Sequence, residues 1–124
     1  MMQRILVVDD NEDILDVIAL ILEDYGYEVI TLTDGRLLFD KINHDKPNLI
    51  LLDVMLGNAD GRELCEVVKS KKETQNIPVI LVSASHNLAD RVKPQACSDD
   101  FLAKPFDIDE LLNKVRSHLT TTAA

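Results

Sequence analysis

Four consecutive apolar residues, Leu49, Ile50, Leu51 and Leu52, run without alternation into Asp53 and then into the turn-forming segment VMLGNADG. A helix of four residues is too short to count, whereas a parallel strand covered on both faces reads as this kind of unbroken run. The pattern recurs. Ile5 to Val8 stops at Asp9 and Asp10, and Val79 to Val82 stops at Ser83-Ala84-Ser85. A short last strand, Asp100-Phe101-Leu102, leads to Ala103-Lys104-Pro105-Phe106, and Val29 to Leu32 makes a fifth. Chemically active side chains therefore sit where open parallel sheets bind their ligands, at the carboxyl ends of strands.

Between the strands the apolar period changes from continuous to helical. Asn11 to Asp13 are capping types, and Ile14, Ile18, Ile21, Leu22 and Tyr25 follow at helical spacing until Gly26 ends the element. A weaker helix is expected from about Gly35 to Asn43, with Leu38 and Ile42 on one face and Pro47 closing the connection. Leu64, Val67 and Val68 mark a third helix after Asp60-Gly61, ending in the solvated run KSKKETQN. A short helix is expected over about Asn87 to Lys93, cut off by Pro94. Ile108, Leu111, Leu112, Val115 and Leu119 define the last helix, and TTTAA is a frayed tail or the start of a linker. Five alternations of strand and helix imply an α/β, doubly wound parallel sheet with helices on both faces and right-handed crossovers.

The 124 residues, 46% hydrophobic, match one domain over the whole chain, with a core from about residue 4 to 119. Thirteen Lys and Arg against 22 Asp and Glu give a net charge of -9, which argues against direct nucleic-acid binding because phosphate contacts need a positive footprint. No apolar run approaches the roughly 20 residues of a membrane span, and the start lacks a signal peptide's apolar region and cleavage site. No membrane partner and a cytoplasmic location are expected. Cys65 and Cys97 lack metal-ligand spacing and are expected to be reduced.

In a doubly wound sheet the strand ends converge, so Asp9, Asp10, Asp53, Ser83 and Lys104 would share one pocket. Three ionised carboxylates a few ångströms apart repel, and without a cation at least one should protonate. A hard divalent ion such as Mg²⁺ resolves the conflict, and with Lys104 it leaves the site able to accept a phosphoryl group. The chemistry this allows is phosphoryl transfer onto a carboxylate, with Asp53 on the central strand as nucleophile and Ser83 donating a hydrogen bond. Asp9 and Asp10, being adjacent, cannot both point the same way. One should ligate directly and the other through water.

Taken in order, ILVVDDNED, LLDVMLGNADG, VILVSAS and DDFLAKPF resemble the receiver domain of two-component response regulators, over residues 4 to 119. The resemblance implies a flavodoxin-like (βα)5 fold with strand order 2-1-3-4-5. It implies Asp53 as the aspartate phosphorylated by a histidine kinase or histidine phosphotransfer protein. Asp10 would be the direct Mg²⁺ ligand and Asp9 its water-mediated neighbour, with Asp53 itself and the Met55 backbone carbonyl completing the protein's share of the metal site. Ser83 corresponds to the switch hydroxyl, Lys104 to the phosphate-pairing lysine, Pro105 to the often cis proline after it, and Phe101 to the switch aromatic. Output would pass to a downstream protein or a fused output domain. The chain would catalyse only its own phosphorylation and slow autodephosphorylation, since Met55 offers no hydrogen bond to an attacking water. Two departures stand out: Gly57-Asn58 where the family often has Pro-Gly, and Cys97-Ser98 where it often has Gly-Ala, with Pro94 nearby.

Blander readings compete with each residue. Alone, Asp9 and Asp10 are helix-capping types, Ser83 a strand-end hydroxyl and Lys104 a surface lysine; Asp53 at a matching strand end favours the shared site. Phe101 is equally explained by packing. His44, His86 and His118 lack partners at catalytic spacing and are expected at the solvated surface, and Cys97 as a small buried residue. Two rival functions share the fold: a binding module that is never phosphorylated, and a Mg²⁺-dependent phosphatase with an aspartyl intermediate. The phosphatase expects a second carboxylate two residues after the nucleophile, where this chain has Met55.

Overall fold

A computed structural model of the chain describes residues 3–57, 59–83, 98–104 and 106–119. The expected helix over 87–93, the turn residue Asn58, and Ser85, His86, Pro94, Cys97, Pro105 and the tail lie outside them. Five parallel strands, β1 (Arg4–Val8), β2 (Glu28–Leu32), β3 (Leu49–Asp53), β4 (Val79–Ser83) and β5 (Asp100–Ala103), form one sheet in the order β2-β1-β3-β4-β5. The described helices are α1 (Glu12–Asp24), α2 (Leu38–Asp45), entered through a 3-10 turn at Gly35–Leu37, α3 (Gly61–Ser70) and α4 (Ile108–Leu119). This is the flavodoxin-like order expected of the chain.

The unbroken apolar runs are explained by alternation within them. On β1, Ile5 and Val7 face one layer while Leu6 and Val8 face the other; on β3, Leu49 and Leu51 separate from Ile50 and Leu52 in the same way. The first layer is closed by Leu15, Ile18 and Leu22 of α1 with Leu111, Leu112, Val115 and Leu119 of α4. The second is closed by Leu38 and Ile42 of α2 with Cys65 and Val68 of α3. Every residue of β3 and β4 is buried.

The helix ends follow their sequence signals. Asn11 caps α1, its side chain accepting from the N–H groups of Asp13 and Ile14 at 2.9 and 3.2 Å. Gly26 takes φ +94 and donates to the Glu23 carbonyl at 3.0 Å, a left-handed stop that costs glycine nothing. Asp60 caps α3 by accepting from the Arg62 N–H at 2.9 Å.

Several helix-face expectations are corrected. Tyr25 and Ile108, at helical spacing, are exposed, because each lies at the extreme end of its helix where the layer beneath has run out. Val67 is also mainly outside, whereas Leu15 and Cys65 are core residues. The run after α3 is not wholly solvated: buried Thr74 donates its hydroxyl to the Val68 carbonyl at 2.6 Å. Lys69 reaches the carbonyls of Gln75 and Ile77 and pairs with Asp99 at 2.6 Å, tying the end of α3 to the approach to β5.

His118 is likewise not a free surface histidine. Its Nε2 lies 3.0 Å from Asp100 Oδ2, whose other oxygen accepts from Lys114 Nζ at 2.9 Å. Burial pushes Asp100 up, but hydrogen bonds from His118 and Lys114 and from the Phe101 N–H outweigh it, so its pKa is lowered. Stability from this cluster is therefore present above the usual carboxylate range and lost as pH falls through the lowered value. His44 is exposed, as expected, beside Asp45.

Candidate functional site

The carboxyl edge of the sheet gathers the residues singled out in the sequence. Asp53 is the last residue of β3 and Ser83 the last of β4, while Asp9 and Lys104 come directly after β1 and β5. The strand pairing runs on past these ends: Asp9 N–H donates to Leu32 at 3.1 Å, Val54 N–H to Val82 at 2.9 Å and Lys104 N–H to Ser83 at 2.6 Å. Each site residue is thus carried by backbone bonded to the neighbouring strand.

Asp9, Asp53 and Ser83 are buried, and Asp10 is exposed at the rim. The carboxylates of Asp9, Asp10 and Asp53 each place an oxygen within 4.8 Å of the others. Lys104 Nζ lies 2.9 Å from Asp9 Oδ2 and 3.5 Å from Asp53 Oδ2. Asp9 is committed at both ends, since its Oδ1 accepts the Asn11 N–H at 3.0 Å. Asp53 Oδ1 accepts the Met55 N–H at 3.1 Å, and Asp10 Oδ2 accepts the Gly57 N–H at 3.0 Å.

Among the described residues one ammonium faces three carboxylates, and the imbalance is visible in Asp53. Burial, then the charge of Asp9, push it up to about 6, against the opposing pull of Lys104 and of the Met55 N–H. Lys104 is raised despite its burial, by its hydrogen bond to Asp9 and the charges of both aspartates. The donor set is entirely hard oxygen, close-spaced and over-negative, which fits Mg²⁺ and not a soft metal.

Phe101 is half-buried and packs against the layer that holds α2 and α3. Met55 is 66% exposed beside the carboxylates. The contributors that side-chain reasoning overlooked are the backbone donors of Asn11 and Gly57. Their only sequence signal is the identity of the turn residues that present them.

The pattern of the response regulator receiver domain matches residues 5–116. The chain belongs to this family. Within it, this receiver is 36% identical over 122 residues to a DNA-binding dual master transcriptional regulator, RpaA, of Synechocystis. That match takes in 98% of the receiver and 51% of the relative, so the chain spans about half the length of the curated relative it matches. Among solved structures, the response regulator TrrA of Thermotoga maritima, in complex with Mg²⁺-BeF, superposes with a TM-score of 0.86 at 30% identity, covering 95% of this receiver and 100% of that chain. The chemotaxis response regulator CheY4 of Vibrio cholerae gives 0.86 at 27% identity over 96% and 100%. Among the described residues no helix is long and apolar enough to cross a membrane.

Proposed function

We propose that this receiver accepts a phosphoryl group on Asp53 from the phosphohistidine of a histidine kinase or histidine phosphotransfer protein. The observation that carries the reading is the buried Asp53 carboxylate, held between Lys104 and the paired carboxylates of Asp9 and Asp10. A carboxylate oxygen of Asp53 attacks phosphorus, the new O–P bond forms as the N–P bond breaks, and the histidine leaves as neutral imidazole because its ring already carries a proton on the other nitrogen. Lys104, within 3.5 Å of Asp53, neutralises charge on the phosphoryl oxygens, and the Ser83 hydroxyl donates to one of them. The Met55 N–H holds one oxygen of Asp53 and so fixes which one attacks.

Asp10 would hold Mg²⁺ directly, with Asp53 and the Met55 carbonyl, and Asp9 through water. The bound ion supplies charge neutralisation at the transferring group. Residues 4 to 119 form the receiver core, working in the cytoplasm, and the signal passes from it to a partner protein or an output domain. The switch is read out through Ser83 and through Phe101, which packs against the layer that holds α2 and α3.

Acetyl phosphate with Mg²⁺ should produce a retarded band on Phos-tag electrophoresis, absent in Asp53→Ala. Retention of the band in that variant would overturn the assignment. The exposed, apolar Met55 leaves attacking water unoriented. Met55→Asn is therefore expected to shorten the lifetime of the phosphorylated form several-fold in the same assay, and an unchanged lifetime would remove Met55 from the hydrolysis step.

A further inference from the structure

The turn after β3 is tied at its base by an antiparallel ladder pairing Met55 with Asp60 and Leu56 with Ala59. Leu56 is buried, and Asp60 caps α3, so both sides of the turn are anchored. At its tip the Gly57 N–H reaches across 47 residues of sequence to Asp10 Oδ2 at 3.0 Å. A Cβ on residue 57 would stand 3.3 Å from that same oxygen, so the backbone makes its close approach with little room to spare. Asp10 is the exposed member of the three carboxylates and needs an external hold to stay oriented.

From this geometry we infer that the Gly57 N–H is a positioning group for Mg²⁺, pinning one oxygen of Asp10 so that the carboxylate is already turned into the cluster when the ion arrives. The inference rests on the metal assignment proposed above and adds a determinant of its affinity. A carboxylate has lone pairs for a backbone donor and a cation together, so the bond need not break on loading. Hydrogen bonding of this kind to a ligating carboxylate also removes the rotational freedom that binding would otherwise have to quench. Among the standard residues only proline lacks this donor, so proline at position 57 removes the bond.

The test compares Gly57→Ala with Gly57→Pro, both of which carry a Cβ while only the first keeps the N–H. Isothermal titration with Mg²⁺ is expected to show weaker binding for the proline variant than for the alanine variant, by roughly tenfold. The upward shift in Tm on adding Mg²⁺ should shrink in parallel, after each variant is referred to its own metal-free Tm. Equal affinities would overturn the inference.

Hydrogen exchange of the Gly57 amide in the wild-type protein gives a second reading that does not depend on proline folding well. Protection is expected in the metal-free and Mg²⁺-loaded forms alike, and to be lost in Asp10→Ala. An amide that becomes exposed on loading competes with the metal and would equally overturn the inference. Wild-type protein that is phosphorylated and takes up Mg²⁺ normally, with no difference between the two variants, sinks this inference alone. Wild-type protein that binds no Mg²⁺ sinks the metal assignment with it.

Discussion

Gly61→Ala is expected to lose about 3 kcal/mol of folding free energy, a large effect for the addition of one methyl group. Gly61 opens α3, and its N–H donates to the Val54 carbonyl at 2.8 Å, so the helix starts directly on the backbone of the strand that carries Asp53. A Cβ there would stand 2.0 Å from the Asp53 carbonyl oxygen, 2.8 Å from its carbon and 2.9 Å from Val54 Cα. All three are backbone atoms of a buried segment, and none can swing aside. Gly35 is the instructive contrast, because its Cβ would meet the side-chain tips of Leu56 and Leu64, which can move. Urea unfolding of Gly61→Ala should show the loss, with Tm lower by more than about 10 °C. A loss below about 1 kcal/mol would mean that α3 can slide away from β3 without resistance. The variant should also accept phosphoryl groups poorly, since any accommodation displaces the peptide that aims Asp53.

Asp53→Asn is expected to do the opposite to stability. With the folded pKa raised to about 6, Asp53 favours the folded state while neutral, and that contribution is lost as pH rises through this value. At pH 8 the ionised group therefore costs folding about 2 kcal/mol, once the openness of the site to solvent is allowed for. Asparagine keeps the shape and removes the charge. In metal-free buffer the variant should melt several degrees above wild type at pH 8, and the gap should narrow as pH falls below about 6 and close only below the ordinary carboxylate range, where Asp53 is protonated in the unfolded chain as well. Adding Mg²⁺ should raise the wild-type Tm far more than that of the variant. A gap independent of pH would show that Asp53 carries no electrostatic strain.

The five strands could be read directly because their residues feed two layers at once, which leaves no polar position to break the run. Their order places Asp9, Asp10, Asp53, Ser83 and Lys104 along one edge, and the close approach of Lys104 to Asp9 and Asp53 is a result of that order. Helix faces were less legible. Periodicity says which direction a residue points and not whether anything lies beneath it, so Tyr25 and Ile108 read as core while standing past the edge of their layers. The spacing of Cys65 excludes a metal site but says nothing of packing, and its buried side chain belongs to the layer between α3 and the sheet. The sequence neighbours of His118 offer it no partner, because that partner, Asp100, comes from the adjoining strand 18 residues earlier. Backbone donors such as Gly57 N–H leave no letter of their own, and only the turn that presents them reveals where they aim.

The pairing that continues past the strand ends has a dynamic consequence. Amides buried in a ladder at the centre of a sheet open only when the sheet itself comes apart, whereas loops that carry function usually open first. Here the amides of Asp9, Val54 and Lys104 belong to the ladder, although the Asp10 carboxylate next to Asp9 is exposed to solvent. The floor of the proposed phosphoryl site should therefore be among the last parts of the molecule to exchange with heavy water. Motion that transmits the signal is left to the side chains standing on that floor and to the segments around it.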